Sequence, residues 1–299
     1  MKNPLDYIES SPHLFTTFMG ISHSHFQSLV KEVEQAQLAE QEALESKKHR
    51  VNAKGAGRPP KLNLSERLAL CLFYLRHNPI FEVLALMFDV SCSEAHHTFH
   101  ENLKWICQLL PASLFKQFGD DPELWALNQE ILKDEILIVD STEQSLQRPS
   151  EQGIQKEFFS GKKKQHTLKS SLIVTSDGLE IVDVILGVPG PKADVTLFRE
   201  QQDNLDSEQD FLGDKAYVGA DRTTTPMKKP KKRELTDSQK DENREISKQR
   251  IFVEHLIRRL KIFRILSDRY RLRRTSYRAV IAGVCGLVRL RLGRIDFRI

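Results

Sequence analysis

Cysteine is scarce in this chain, and the little present is scattered. Its four cysteines (Cys71, Cys92, Cys107 and Cys285) show no CxxC spacing. That pattern argues against a disulfide framework or a zinc site and fits reduced thiols. Long apolar runs are missing as well. None approaches the ~18 residues that a membrane-spanning helix needs, so no membrane partner is expected. The N-terminal MKNPLDYIES lacks the apolar core of a signal peptide. A cytoplasmic protein is the expectation. Compositional extremes are absent too: 39% hydrophobic and 29% charged residues exclude a globally disordered chain.

What the chain has is a charge gradient. Residues 250–299 hold 14 Lys and Arg against 3 Asp and Glu, while the whole chain of 299 residues is only +4. The body is therefore net acidic and the C-terminal segment strongly basic. Such an end suits a polyanion, either nucleic acid or an anionic surface.

The first 61 residues read as a helical region, with Phe26, Leu29, Val30 and Val33 at helical spacing, followed by a basic linker, KKHRVNAKGAGRPPK. Arg58 and Lys61 in this linker have the form of an arm that enters a DNA minor groove, although a plain linker explains them equally well. Residues 62–115 have a sharper pattern. Asn63 and Glu66 fit a capping box, Leu64, Leu68, Leu72 and Leu75 mark an apolar stripe, and Asn78-Pro79 stops the helix. A short helix over IFEVLALMF, a turn at Asp89-Val90, and a longer helix opened by Ser91 and Glu94 then give a helix-turn-helix pattern. His96, His97 and His100 fall near the exposed face of that last helix. Without a Cys or carboxylate motif beside them, they read as phosphate- or solvent-facing side chains rather than metal ligands.

From residue 132 to 299 the character changes to mixed α/β. ILIVD (136–140), KSSLIVTS (169–176), LEIVDVILG (179–187) and DFLGD (210–214) read as strands, the middle two joined at a Ser176-Asp177-Gly178 hairpin turn. Helices are expected over DVTLFREQQ, from Thr236 through Glu254 to about Leu266, and over Ala279 to Leu290. The order predicts a sheet with helices packed on it.

Asp140 and Asp214 each end an apolar run, and Glu254 sits on the later helix. Carboxylates so placed can hold a pair of Mg²⁺ or Mn²⁺ ions, which take oxygen ligands and hold both the attacking and leaving oxygens of a phosphodiester. Arg250, Glu254, Arg258 and Lys261 share one helix face, opposite Phe252, Leu256 and Leu260. The face thus combines an acid for metal with bases for DNA phosphate.

VDSTE (139–143), GPKADVTLF (190–198), LGDKAY (212–217) and RIFVEHLIRRLKIFRIL (250–266), with the preceding GRPPKLNLSERL, resemble successive blocks of the DDE transposases of bacterial insertion sequences, in the group related to Harbinger elements. Arg250, Glu254 and Lys261 match the spacing of a signature around the last acid; Ser247 stands where that signature has Tyr. The resemblance covers nearly the whole chain. It implies an RNase H-like core with Asp140, Asp214 and Glu254 as the metal-binding triad. It also implies a homodimer or higher assembly on DNA, and a reaction that cuts the element's terminal repeats and joins the 3′-hydroxyl ends to target DNA. Asp194 is either a fourth acid of that site or a helix N-cap; the N-cap is favoured, because no apolar strand precedes DVTLF. Lys215 and Tyr217 either position a phosphate or serve packing or surface roles. The alternatives are a non-catalytic DNA-binding descendant of such an enzyme and an endonuclease without strand transfer.

Overall fold

A computed structural model of the chain describes residues 3–46, 60–230 and 233–297. Arg58 and most of the basic linker lie outside them. The helical region comprises α1 (Pro4–Glu9), α2 (Phe15–Met19), α3 (His23–Glu45), α4 (Leu64–His77), α5 (Phe81–Phe88), α6 (Cys92–Leu109), α7 (Leu114–Phe118) and α8 (Pro122–Lys133). Asn63 and Glu66 form the expected capping box, each side chain reaching the other's backbone N–H. The stripe on α4 is broader than its spacing suggests. Every residue from Leu68 to Leu75 is buried, as befits a helix enclosed by α2, α3, α6 and a C-terminal helix.

The core follows as β1 (Leu137–Ser145), α9 (Gln152–Phe158), β2 (Phe159–Ser160), β3 (Gln165–Val174), β4 (Ile181–Pro189), α10 (Asp194–Gln202), β5 (Phe211–Leu212) and β6 (Thr223–Thr224). Then come α11 (Asp237–Lys261), α12 (Arg264–Ser267) and α13 (Tyr277–Arg291). The sheet runs β2-β3-β1-β5-β6, with β4 also pairing β3. β1, β3 and β4 pair antiparallel; β5 and β6 add in parallel. This is an α/β fold with a six-stranded mixed sheet, flanking helices and an all-α region before it.

Several local expectations change. β1 does not stop at Asp140 but runs five residues further. Its polar second half, STEQS, is satisfied by neighbours: Thr167 donates to Glu143 at 2.9 Å, and the Gln144 amide donates to the carbonyls of Ile265 and Asp268, each at 2.7 Å. The long basic helix ends at Lys261, and Arg264–Ser267 is a separate turn. The loop 222–240 contains β6. The hairpin turn is where it was expected, with Gly178 at φ +63°. A Cβ on Gly178 would lie 2.6 Å from the backbone oxygen of Phe252, so the turn is pressed against α11.

Candidate active site

Parallel pairing sets the first two acids side by side. Ile138 of β1 pairs with Leu212 of β5. Asp140 and Asp214 each lie two residues further on, at matching offsets. A side chain two residues along a strand returns to the same face of the sheet. Asp140 is therefore a mid-strand residue, whereas Asp214 lies just past β5 and caps the short turn after it, accepting from the Ala216 N–H at 2.7 Å.

Helix α11 packs against β1. It is started by Thr236, whose capping box with Gln239 is complete, and held by Val253, Leu256, Ile257 and Leu260, which are buried. Phe252 is 41% exposed, so the buried face is rotated from the Phe252–Leu256–Leu260 line. This rotation aims Arg250 at the sheet. Its guanidinium lies 3.7 Å from the Asp140 carboxylate. Burial pushes the Asp140 carboxyl up to about 6; the negative charges of Asp214 and Glu254 add to that rise, against the Ser141 N–H and Arg250. Glu254 is exposed yet close enough for its charge to act on Asp140. At the end of α11, burial and the charge of Lys163 lower the Lys261 ammonium, while Asp140 raises it. Arg258 is exposed. The fold thus brings Asp140, Asp214, Glu254, Arg250 and Lys261 into one electrostatic neighbourhood.

Asp194 is not the N-cap expected of it. Ala193 occupies that position without a side-chain cap, and Asp194 is the first helical residue. Its Oδ1 accepts from the Ser141 hydroxyl at 2.7 Å and pairs with the Lys169 ammonium at 2.8 Å. Lys169 is buried, donates to the Lys192 carbonyl at 2.6 Å and faces Glu143 at 3.9 Å. Beside this network the hydroxyl of Tyr217 is buried without a hydrogen-bond partner. Burial raises its pKa, and the charges of Asp140, Asp194 and Asp214 raise it further. Tyr217 is accordingly a buried, packed side chain, not a surface group. Sequence spacing did not expose the Ser141–Asp194–Lys169 link, because its members come from β1, α10 and β3.

Among the described residues, no three His, Cys, Asp or Glu side chains stand close enough together to hold a metal ion as placed. The donor chemistry nevertheless suits Mg²⁺ or Mn²⁺. The donors are all oxygen, and the half-buried carboxylate of Asp140 is a charge that a cation would offset.

The other candidates lie on the helical region. Lys61 is engaged with Asp89 at 2.7 Å, at the turn between α5 and α6. His96 and His97 are exposed on α6 and His100 is half-buried. The His96 and His100 rings are 4.5 Å apart, and burial first, then the charges of His96, Arg273 and His97, lowers the pKa of His100. Arg271, one of the basic C-terminal residues, instead joins the core to the α4–α5 turn, donating to Asn78 Oδ1 and the Pro79 carbonyl, each at 3.0 Å.

The chain has relatives among known proteins. Residues 139–289 match the family described as DDE superfamily endonuclease, and residues 60–112 match the helix-turn-helix of DDE superfamily endonuclease. The probable transposase for insertion sequence element IS702 of Microchaete diplosiphon is 32% identical over 269 residues, which cover 88% of each chain. Among solved structures, the Mos1 transposase paired-end complex with left transposon end is similar at 11% identity over 77% of this chain and 86% of that one, with a TM-score of 0.21. The chain belongs to the DDE superfamily of insertion-sequence transposases that carry an N-terminal helix-turn-helix. Among the described residues, no helix is long and apolar enough to cross a membrane.

Proposed function

We propose that this protein cuts the ends of an insertion sequence and joins the freed 3′-hydroxyls to target DNA, with Asp140, Asp214 and Glu254 as its catalytic acids. The observation that carries this reading is the matching offset of Asp140 and Asp214 from the paired Ile138 and Leu212, with Glu254 on α11 near enough for its charge to act on Asp140. These three carboxylates would hold two Mg²⁺ or Mn²⁺ ions. When bound, the ions supply activation of the attacking oxygen and stabilisation of the leaving oxygen.

The protein's own residues set the geometry. The Ser141 N–H donates to Asp140 Oδ1 at 2.8 Å and fixes one carboxylate oxygen. Arg250 offsets the half-buried charge of Asp140 from the side. Lys261, next to Lys163, and Arg258 present cations to the phosphates of the strand being cut. The helix-turn-helix, with His96, His97 and His100 on α6, reads the terminal repeats. Cutting and joining need the two ends held together, which supports a homodimer or larger assembly on DNA.

The test is product analysis. Protein and Mg²⁺ are incubated with a duplex of the terminal repeat, taken from the DNA flanking the gene, and a plasmid target. Covalent repeat–plasmid joints are expected. Nicked repeats without joints would reduce the activity to that of an endonuclease.

A further inference from the structure

One cavity lies away from the acids, on the sheet edge formed by the β2–β3 hairpin. It measures about 470 Å³ and is bounded by Arg148, Gln155, Lys156, Phe159 and His166. Its walls are built rather than incidental. The Gln155 amide donates to the Pro149 carbonyl at 2.7 Å, and its oxygen receives Arg148 Nε at 3.0 Å and Nη2 at 2.8 Å. Phe159 pairs with His166 across the two strands, and the rings meet edge-on at 5.5 Å. Phe159 remains 45% exposed, so a large apolar ring faces an open, cation-flanked space. Among the described residues, no carboxylate lines it.

The four-residue turn that follows is GKKK. Lys162, Lys163 and Lys164 are exposed, and none has an ion-pair partner among the described residues. The Lys163 N–H donates to the Ser160 hydroxyl at 3.3 Å, and Lys164 is held at φ +52°. The turn thus presents three consecutive cations. The charge of Lys163 also acts on Lys261, which in turn feels Asp140.

We propose that this cavity takes one unpaired nucleobase of a DNA strand, stacked on Phe159, while Lys162, Lys163 and Lys164 hold the adjoining phosphates. A base inside a duplex has its faces covered by its neighbours; an unpaired base can present one to an aromatic ring, and such stacking tolerates any base. Cations flanking the ring suit the charged backbone that accompanies the base. The proposal rests on the reading that this chain acts on DNA, and deepens it by naming the form of DNA held at this sheet edge.

The experiment uses the full chain in EDTA, where binding is read without cleavage. Two fluorescent duplexes of equal length are compared, one fully paired and one with a single unpaired thymine. Wild type should bind the second roughly tenfold more tightly, within the range measured for base–aromatic stacking. Phe159→Ala should remove that preference and leave affinity for the paired duplex unchanged; Phe159→Trp should keep it. Replacing the three lysines with Ala should weaken binding to both duplexes and flatten the salt dependence. No preference in wild type, a preference that survives Phe159→Ala, or an equal loss on both duplexes in Phe159→Ala would overturn the proposal. Failure here leaves the cleavage-and-joining assay untouched, and failure of that assay leaves this binding preference measurable.

Discussion

Arg289 on α13 grips Glu180 at the start of β4 with two hydrogen bonds, 2.6 Å from Nε and 3.1 Å from Nη2. The arginine is fully buried, and it also donates to the Pro111 carbonyl at 2.7 Å and to Gln117 at 2.9 Å. One guanidinium therefore connects the catalytic sheet, the last helix and the chain leaving the helix-turn-helix. Removing it strands a buried carboxylate. Arg289→Met should destabilise the fold by about 3–5 kcal/mol, and Arg289→Met with Glu180→Leu by clearly less. Chemical denaturation of the three proteins checks the order.

Gly178 makes the hairpin turn fit beneath α11. Ala at this position would be strained by the positive φ and would collide with the Phe252 carbonyl. Gly178→Ala should lower stability by more than ~1 kcal/mol. Thermal melting reads this directly.

Asp183 is buried on β4, facing Gln201 at 3.3 Å and Asn204 at 3.4 Å. Burial raises its carboxyl pKa against the Val184 N–H and these two amides. A raised folded pKa favours the protonated carboxyl. The stability it contributes is fully present below the ordinary value near 3.8 and is lost as pH rises through the folded value. Asp183→Asn should therefore be more stable than wild type at neutral pH, with the difference closing as pH falls below that ordinary value. Denaturation midpoints across that range test the sign.

Arg258 and Lys261 lie at the end of α11, where they meet phosphate in the proposed reaction. Alanine at each should weaken binding to any DNA sequence. The slope of log K against log salt should fall by about one for each phosphate no longer neutralised. A titration from low to moderate salt provides the slope.

The sequence showed some of this plainly. Asn63 with Glu66, and Thr236 before its long helix, announce helix starts because capping chemistry is local. Ser176-Asp177-Gly178 announces its turn for the same reason. Asp140, Asp214 and Glu254 stood out through the runs around them, and the fold brings their charges within reach of one another. What stayed hidden depends on distant partners. β1 continues through STEQS only because Thr167, Ile265 and Asp268 satisfy its polar side chains. Two-residue strands such as β5 and β6 are too short to show a period. Asp194 looked like a cap because a lone acid before an apolar helix carries no sign of Lys169 and Ser141. Phe159 and the three lysines drew no notice, since a cavity is a property of the folded edge.

The central claim is that Asp140, with Asp214 and Glu254, carries the chemistry and not the DNA binding. The most direct measurement compares wild type and Asp140→Asn on a terminal-repeat duplex, reading strand cleavage with Mg²⁺ and affinity without it. The account predicts loss of cleavage to background with affinity retained. Cleavage by Asp140→Asn at the wild-type rate would contradict it.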